Sequence, residues 1–249
     1  MKLRAVMADD EDLARRVMRE YLSQEPDIEI VAECANGFEA VKAINETKPN
    51  VIFLDVQMPK LDGFEVLELV DSPSAVVFVT AFDQYAMRAF DAAAVDYLLK
   101  PFAVERLRSA LDRVRARIRE ARPIGNPHEL KQAARAPGDY LERIVVKDGP
   151  RVHVIPAGRL DYAEAQDDYV ALRSEGGNWL KQQTISSLED ALDPRRFIRV
   201  HRSFLVNVER IARIDANTKD TWVAVLNDGT RVPVSRAGYG KFREIVGAE

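Results

Sequence analysis

Apolar positions in the first 120 residues switch between two periods. Leu3–Ala8 is a short apolar run, and Leu13, Ala14, Val17, Met18, Tyr21 and Leu22 then recur on one helical face. Ile28–Ala32 predicts a strand, and Phe38, Val41 and Ile44 a second helix. Val51–Leu54 runs into Asp55, with a short helix over Phe64–Val70; Ala75–Val79 runs into Thr80, with a helix over Ala86–Phe90. Tyr97–Leu99 ends at Lys100-Pro101, and Val104, Leu107, Leu111, Val114 and Ile118 mark a last helix. Five strands thus each precede a helix. The runs are continuous, not alternating, so both strand faces are buried, as in a parallel sheet covered by helices.

Arg122–Asp139 holds three prolines and no apolar period, so residues 122–140 are expected to link a domain at 1–121 to another at 141–249. After residue 140 the period becomes two. Arg143–Lys147 and Arg151–Ile155 predict a hairpin, and Leu160–Ala165, Tyr169–Arg173 and Trp179–Gln183 predict three more strands. Ser186–Leu192 reads as a short helix, and Ile211–Asp215, Thr221–Leu226 and Thr230–Val234 as strands. Asn217–Asp220 and Asn227-Asp228-Gly229 are the turns between those strands, and Arg236–Val246 is a closing helix. The second domain is therefore expected to be mostly β.

Composition narrows the classes. The 249 residues are 47% hydrophobic and 31% charged, which excludes disordered, collagen-like and coiled-coil chains. No apolar stretch approaches the ~18 residues of a membrane helix. The N-terminus turns acidic at Asp9-Asp10-Glu11-Asp12, before a signal-peptide core forms. The single cysteine, Cys34, allows no intrachain disulfide, and the expected location is the cytoplasm, with no membrane partner. Charge is uneven: residues 1–100 carry 10 Lys and Arg against 19 Asp and Glu, whereas residues 193–249 carry 11 against 7. The front is a poor surface for nucleic acid; the cations of the back are local.

Ligand sites of open parallel sheets lie beyond the strands' carboxyl ends. Asp9-Asp10, Asp55, Thr80 and Lys100 all stand at such ends. Like charges ~4 Å apart cost about 4 kcal/mol at an effective dielectric near 20, so gathered carboxylates need a positive partner. Lys100 is one, and a hard divalent cation such as Mg²⁺ suits the oxygen donors. With Asp55-Val56-Gln57-Met58-Pro59, Asp62-Gly63, Thr80-Ala81 and Tyr97–Phe102, the constellation resembles the receiver domain of two-component response regulators. The resemblance implies a flavodoxin-like doubly wound five-stranded sheet, order 2-1-3-4-5, often with a cis Lys100–Pro101 bond. It further implies that Asp55 accepts a phosphoryl group from a histidine kinase. Mg²⁺ is then held by Asp10 and Asp55, by Asp9 through water and by the Gln57 backbone carbonyl. Lys100 and Thr80 would bind phosphoryl oxygens, and Tyr97 would turn inward as a switch that reshapes the 84–118 face for homodimerisation. Glu11, Asp12 and Asp62 are expected to be solvated or capping residues.

The stretch Phe197-Ile198-Arg199-Val200-His201-Arg202-Ser203-Phe204-Leu205-Val206-Asn207 resembles the signature of the LytTR (LytR/AlgR-type) DNA-binding domain. The surrounding strands, Ala163–Val170 upstream and Val234-Ser235-Arg236 downstream support it. The resemblance implies a β fold that reads paired direct repeats in double-stranded DNA with loops. Arg202 and Arg236 would address base edges, since an arginine fork matches guanine O6 and N7. Tyr169 would touch a phosphate or a thymine methyl, and Arg195, Arg199, Lys219 and Lys241 would bind phosphates. His201 and Asn207 are expected to bond within the domain. Two other classes stay open: a Mg²⁺-dependent phosphatase, disfavoured because Gln57 stands where a second acid is needed, and a regulator acting through RNA or protein contacts.

Overall fold

The computed structural model describes residues 2–70, 74–81, 94–120, 140–149, 151–218 and 221–246. The predicted helix at 86–90, the linker up to residue 139, Lys219 and the last two residues of the 217–220 turn lie outside them. The chain forms two compact units, Met1–Ala136 and Pro137–Glu249.

In the first unit β1 (Leu3–Ala8), β2 (Ile28–Cys34), β3 (Val51–Leu54), β4 (Ala75–Thr80) and β5 (Asp96–Leu99) alternate with α1 (Asp12–Ser23), α2 (Gly37–Thr47), α3 (Gly63–Leu69) and α4 (Val104–Arg119). The sheet is parallel throughout, in the order β2-β1-β3-β4-β5. Every residue of β3 and β4 is buried, as continuous apolar runs require. Met18, Leu22, Leu107, Leu111 and Val114 of α1 and α4 pack on Ala5, Met7, Phe53, Val77 and Val79 of the sheet. Asn36 caps α2, accepting from the Glu39 N–H, and Asp62 with Glu65 closes a capping box on α3. A Cβ at Gly63 would lie 2.4 Å from the Asp55 carbonyl oxygen, so only glycine lets α3 start against that strand end.

The second unit is mostly β. A hairpin of β6 (Arg143–Asp148) and β7 (Arg151–Pro156) precedes β8 (Leu160–Gln166), β9 (Tyr169–Ser174), β10 (Gly177–Gln182), α5 (Ile185–Ala191), β11 (Phe197–His201) and β12 (Phe204–Asn207). The chain finishes with β13 (Ile211–Thr218), β14 (Thr221–Leu226), β15 (Arg231–Val234) and α6 (Arg236–Val246). The sheets run β10-β9-β8-β12-β11, β13-β14-β15 and β6-β7. Gly229 takes φ +86 in the Asp-Gly turn, the left-handed conformation that turn signal predicts.

Several boundaries differ from the sequence expectation. β13 continues to Thr218, which shortens the expected 217–220 turn. The hairpin of β11 and β12 has no alternating pattern, and the packing explains it. Phe197 and Leu205 enter a core with Leu160, Leu172 and Leu188, whereas Ile198, Val200 and Val206 enter another with Leu226, Val232 and Val234. Strands buried on both faces lose the period of two.

Candidate functional site

In the first unit, backbone pairing brings the strand ends into one rim. The Asp9 N–H donates to the Cys34 carbonyl at 3.1 Å, the Asp55 N–H to the Ala8 carbonyl at 2.8 Å, and the Lys100 N–H to the Thr80 carbonyl at 2.8 Å. The Lys100–Pro101 bond is cis. Lys100 Nζ lies 2.6 Å from Asp9 Oδ2, 2.9 Å from Asp55 Oδ2 and 3.3 Å from Glu11 Oε1. Carboxylate oxygens of Asp9, Glu11 and Asp55 all lie within 4.8 Å of one another. The Gln57 N–H donates to Asp55 Oδ1 at 3.2 Å, and the Glu11 N–H to Asp9 Oδ1 at 3.0 Å. Asp9, Asp55, Thr80 and Tyr97 are buried; Asp10 is exposed on the same turn, and its carboxylate stands outside the triad.

Burial works against the Lys100 charge, but hydrogen bonds to Asp9 and Asp55 outweigh it and hold the ammonium protonated beyond the ordinary lysine range. Burial nevertheless pushes the Asp9 carboxyl up, even against the hydrogen bond from Lys100. Three carboxylates and one ammonium meet in the rim. Its all-oxygen donor set fits a hard divalent cation. Thr80 Oγ1 is buried with no hydrogen-bond partner among the described residues, so it can donate to an incoming acceptor. An open, mainly apolar cleft of about 490 Å³ adjoins the rim, lined by Leu13, Ala14, Val17, Tyr21, Lys100 and Phe102.

In the second unit, strand register gathers three separate segments at one sheet end. Gln166 pairs with Tyr169 across the Asp167-Asp168 turn. Phe204 pairs with Glu164, and the Ala165 N–H donates to the Ser203 carbonyl at 2.8 Å, so the turn at Arg202 lies alongside. The Ser235 N–H donates to the Val200 carbonyl at 2.8 Å, which brings Arg236 to the same end. Ser235 Oγ accepts from the Gly238 N–H at 3.1 Å and so caps α6. A Cβ at Gly238 would meet the Val200 oxygen at 2.0 Å; glycine is what allows this helix to lie on β11.

Tyr169, Arg202 and Arg236 are exposed, and neither arginine forms a side-chain hydrogen bond or ion pair among the described residues. Arg195 is largely exposed beside Asp193. Lys241 Nζ contacts Glu189 Oε1 at 3.4 Å. Arg199 turns inward, onto Ser186, Glu189 and the Arg202 carbonyl. His201 Nδ1 accepts from the Ser203 N–H at 3.3 Å, and buried Asn207 donates to the Leu160 carbonyl at 3.0 Å.

Residues 5–112 match the family model of the response regulator receiver domain, and residues 150–247 that of the LytTr DNA-binding domain. An uncharacterized response regulatory protein of Vibrio cholerae is 36% identical over 260 residues, covering 96% of this chain and 97% of its own. The chain belongs to the response regulators. The transcriptional regulatory protein BtsR of Salmonella typhi is 34% identical to the regulator over 98% of this chain and 99% of its own. A solved LytTr DNA-binding domain from Bacillus cereus shares 30% identity with it, covering 43% of the regulator and 98% of its own chain at a TM-score of 0.41.

The regulator thus carries a receiver domain with the sheet order 2-1-3-4-5 and a mostly β LytTR domain. No helix among the described residues is long and apolar enough to cross a membrane. Two residues make contacts in the sites beyond what the sequence assigned them: Glu11, expected to be solvated or capping, and Glu189. Glu11 is exposed at the N-cap of α1, where its carbonyl accepts from the Arg15 N–H at 3.1 Å while its carboxylate, which makes no capping hydrogen bond, contacts Lys100. Glu189, an unremarked helix residue, holds both Arg199 and Lys241. The only signal for Glu11 was its place two residues beyond Asp9.

Proposed function

We propose that the regulator is a cytoplasmic transcription factor, not an enzyme, that accepts a phosphoryl group on Asp55 from a sensor histidine kinase. The observation that carries this reading is the buried pairing of Asp55 with Lys100 in the same rim as the unpartnered Thr80 hydroxyl. An Asp55 carboxylate oxygen attacks phosphorus; the O–P bond forms as the N–P bond of phosphohistidine breaks, and the imidazole nitrogen keeps the electron pair and takes up a proton. Lys100 and Thr80 bind the transferred oxygens, the ammonium moving its contact from carboxylate to phosphoryl group. Asp10, Asp55 and the Gln57 carbonyl would hold Mg²⁺, with Asp9 reaching it through water and Glu11 close by. When bound, the ion offsets negative charge on the transferring group. The apolar cleft beside the rim, with Leu13 73% exposed at its edge, suits the docking of the kinase helix that bears the histidine.

Tyr97 then relays occupancy of Thr80 to the 84–118 face, of which 94–118 is described, and the phosphorylated regulator dimerises there. Two LytTR domains bind paired direct repeats in duplex DNA, each applying the Tyr169, Arg202 and Arg236 edge, with Arg195, Lys219 and Lys241 toward phosphates. Linking two modules raises avidity by ~10²–10⁴ without new contacts.

Acyl-phosphate labelling by a histidine kinase in Mg²⁺ tests the first step. Asp55→Asn is expected to fold and to take no label; normal labelling of that variant overturns the reading. Binding of the second domain to RNA or protein, with no duplex enriched from a random pool, overturns the DNA step alone.

A further inference from the structure

Arg199 was expected to face DNA, yet its guanidinium is used up inside the domain. Nη1 donates to Ser186 Oγ at 2.7 Å and to Glu189 Oε2 at 3.2 Å, both on α5. Nη2 donates to the Arg202 carbonyl at 2.6 Å. The side chain is only 24% exposed, against 88% for Arg195. Glu189 is engaged on its other oxygen by Lys241 of α6. The chain from Arg199 to Ser203 is held at each step: the Val200 carbonyl by Ser235, the His201 ring by the Ser203 N–H, and the Arg202 carbonyl by Arg199. In this stretch the Arg202 side chain is left exposed. The pairing of β11 with β12 is irregular between Arg199 and His201, so the ladder alone does not set the direction of this turn.

We propose that Arg199 and Glu189 are a positioning pair for DNA recognition. Arg199 fixes the Arg202 carbonyl, and with it the direction in which the Arg202 guanidinium leaves the turn; Glu189 fixes Arg199. A planar fork suits this task, since it bonds a hydroxyl, a carboxylate and a carbonyl at once where an ammonium presents a point charge. A base-reading side chain held this way loses little freedom on binding. The inference rests on the reading of the second domain as a duplex binder.

Electrostatics and positioning predict opposite outcomes for one substitution. Glu189→Gln removes a negative charge from the domain, so a charge effect alone strengthens binding to a polyanion. Positioning requires it to weaken specific binding. The test uses the full chain and the duplex that the wild type enriches from a random-sequence pool, with fluorescence anisotropy across a salt series. Glu189→Gln and Arg199→Lys are expected to lower affinity for the enriched duplex about tenfold, the order of one misplaced bidentate base contact. Affinity for an unrelated duplex should not fall. The slope of log affinity against log salt should stay put, whereas loss of a phosphate contact reduces it by ~0.9. Adding Glu189→Gln to Arg202→Ala should cost nothing further, because the pair acts through Arg202. Ser186→Ala, which removes one hydrogen bond and no charge, should give a smaller loss in the same direction, and covers the case of Arg199→Lys failing to fold. Tighter or unchanged binding by Glu189→Gln, or a reduced slope with equal losses on both duplexes for Arg199→Lys, overturns the pair's role alone. A wild type that enriches no duplex overturns the DNA reading and the pair together.

Discussion

The Thr80 hydroxyl is buried at the end of β4 with no hydrogen-bond partner among the described residues. A buried, unsatisfied hydroxyl costs about 1–3 kcal/mol, so it is retained against stability. Thr80→Ala is therefore expected to leave the unphosphorylated receiver as stable as wild type or up to ~1 kcal/mol more so in urea unfolding. Labelling of Asp55 should persist in that variant, while phosphorylation-dependent dimerisation, followed by light scattering, is lost. Gly63 is the opposite case. An added methyl meets the Asp55 carbonyl oxygen at 2.4 Å, and backbone cannot swing away as a flexible side chain would. Gly63→Ala should destabilise the receiver by about 1–3 kcal/mol by the same unfolding measurement, and should slow labelling because the displaced carbonyl belongs to the acceptor. Glycine at this position follows from how closely α3 starts to β3, which no local propensity expresses.

Strand β5 and helix α4 are joined by a charged clamp. The Asp96 side chain is fully buried; Arg106 reaches it with Nη1–Oδ2 at 2.9 Å and Nη2–Oδ1 at 2.6 Å, and Arg113 adds Nη1–Oδ2 at 2.9 Å. Arg106 also donates to the Tyr97 carbonyl at 2.7 Å, so the clamp grips the backbone of the proposed switch residue. Burial pushes the Asp96 carboxyl up, but the hydrogen bonds from Arg106 and the Tyr97 N–H and the arginine charges outweigh it and hold it below its ordinary range. A depressed folded-state value means that the clamp's stabilisation is present above the unfolded-state carboxyl range near pH 4 and fades as pH falls through the folded-state value. Asp96→Asn should cost about 1.5–3 kcal/mol at pH 7, the scale of a hydrogen bond to a charged group, with both arginines partly exposed. The gap to wild type should close progressively below about pH 4 in urea titrations. A gap that does not change with pH assigns the loss to packing instead of charge.

At the scale of the whole molecule, each unit buries its own core, Met18 to Val114 with the parallel sheet in one, and two clusters on the faces of β11 and β12 in the other. Units with separate cores unfold as separate cooperative transitions unless a large interface couples them. Where calorimetry resolves two transitions, Mg²⁺ should raise only that of the receiver, whose rim carries the acids. At a hundred times its dissociation constant the ion stabilises by about 2.7 kcal/mol, a shift of several degrees for a domain of this size. Asp55→Asn should shrink that shift, and movement of the LytTR transition by Mg²⁺ would contradict the assignment of the rim.

Among the described residues, the five parallel strands, the change from a parallel α/β unit to a mostly β one, and the residue types at the strand ends were legible in the chain itself, because periodicity and turn residues are local. The double burial of β11 and β12 erased that period, so their hairpin emerged only from packing. Which acids meet Lys100 is a long-range matter: Glu11 and Lys100 lie 89 residues apart, and the turn after β1 decides that Glu11 faces the ammonium while Asp10 faces solvent. The same holds for the arginines of Phe197–Asn207, alike in the sequence. Arg202 leaves a turn and Arg199 sits on a strand beneath α5, so one points outward and the other is bound within. Residue type sets what a side chain can do; only the register of neighbouring strands and the helix packed over them sets where it points.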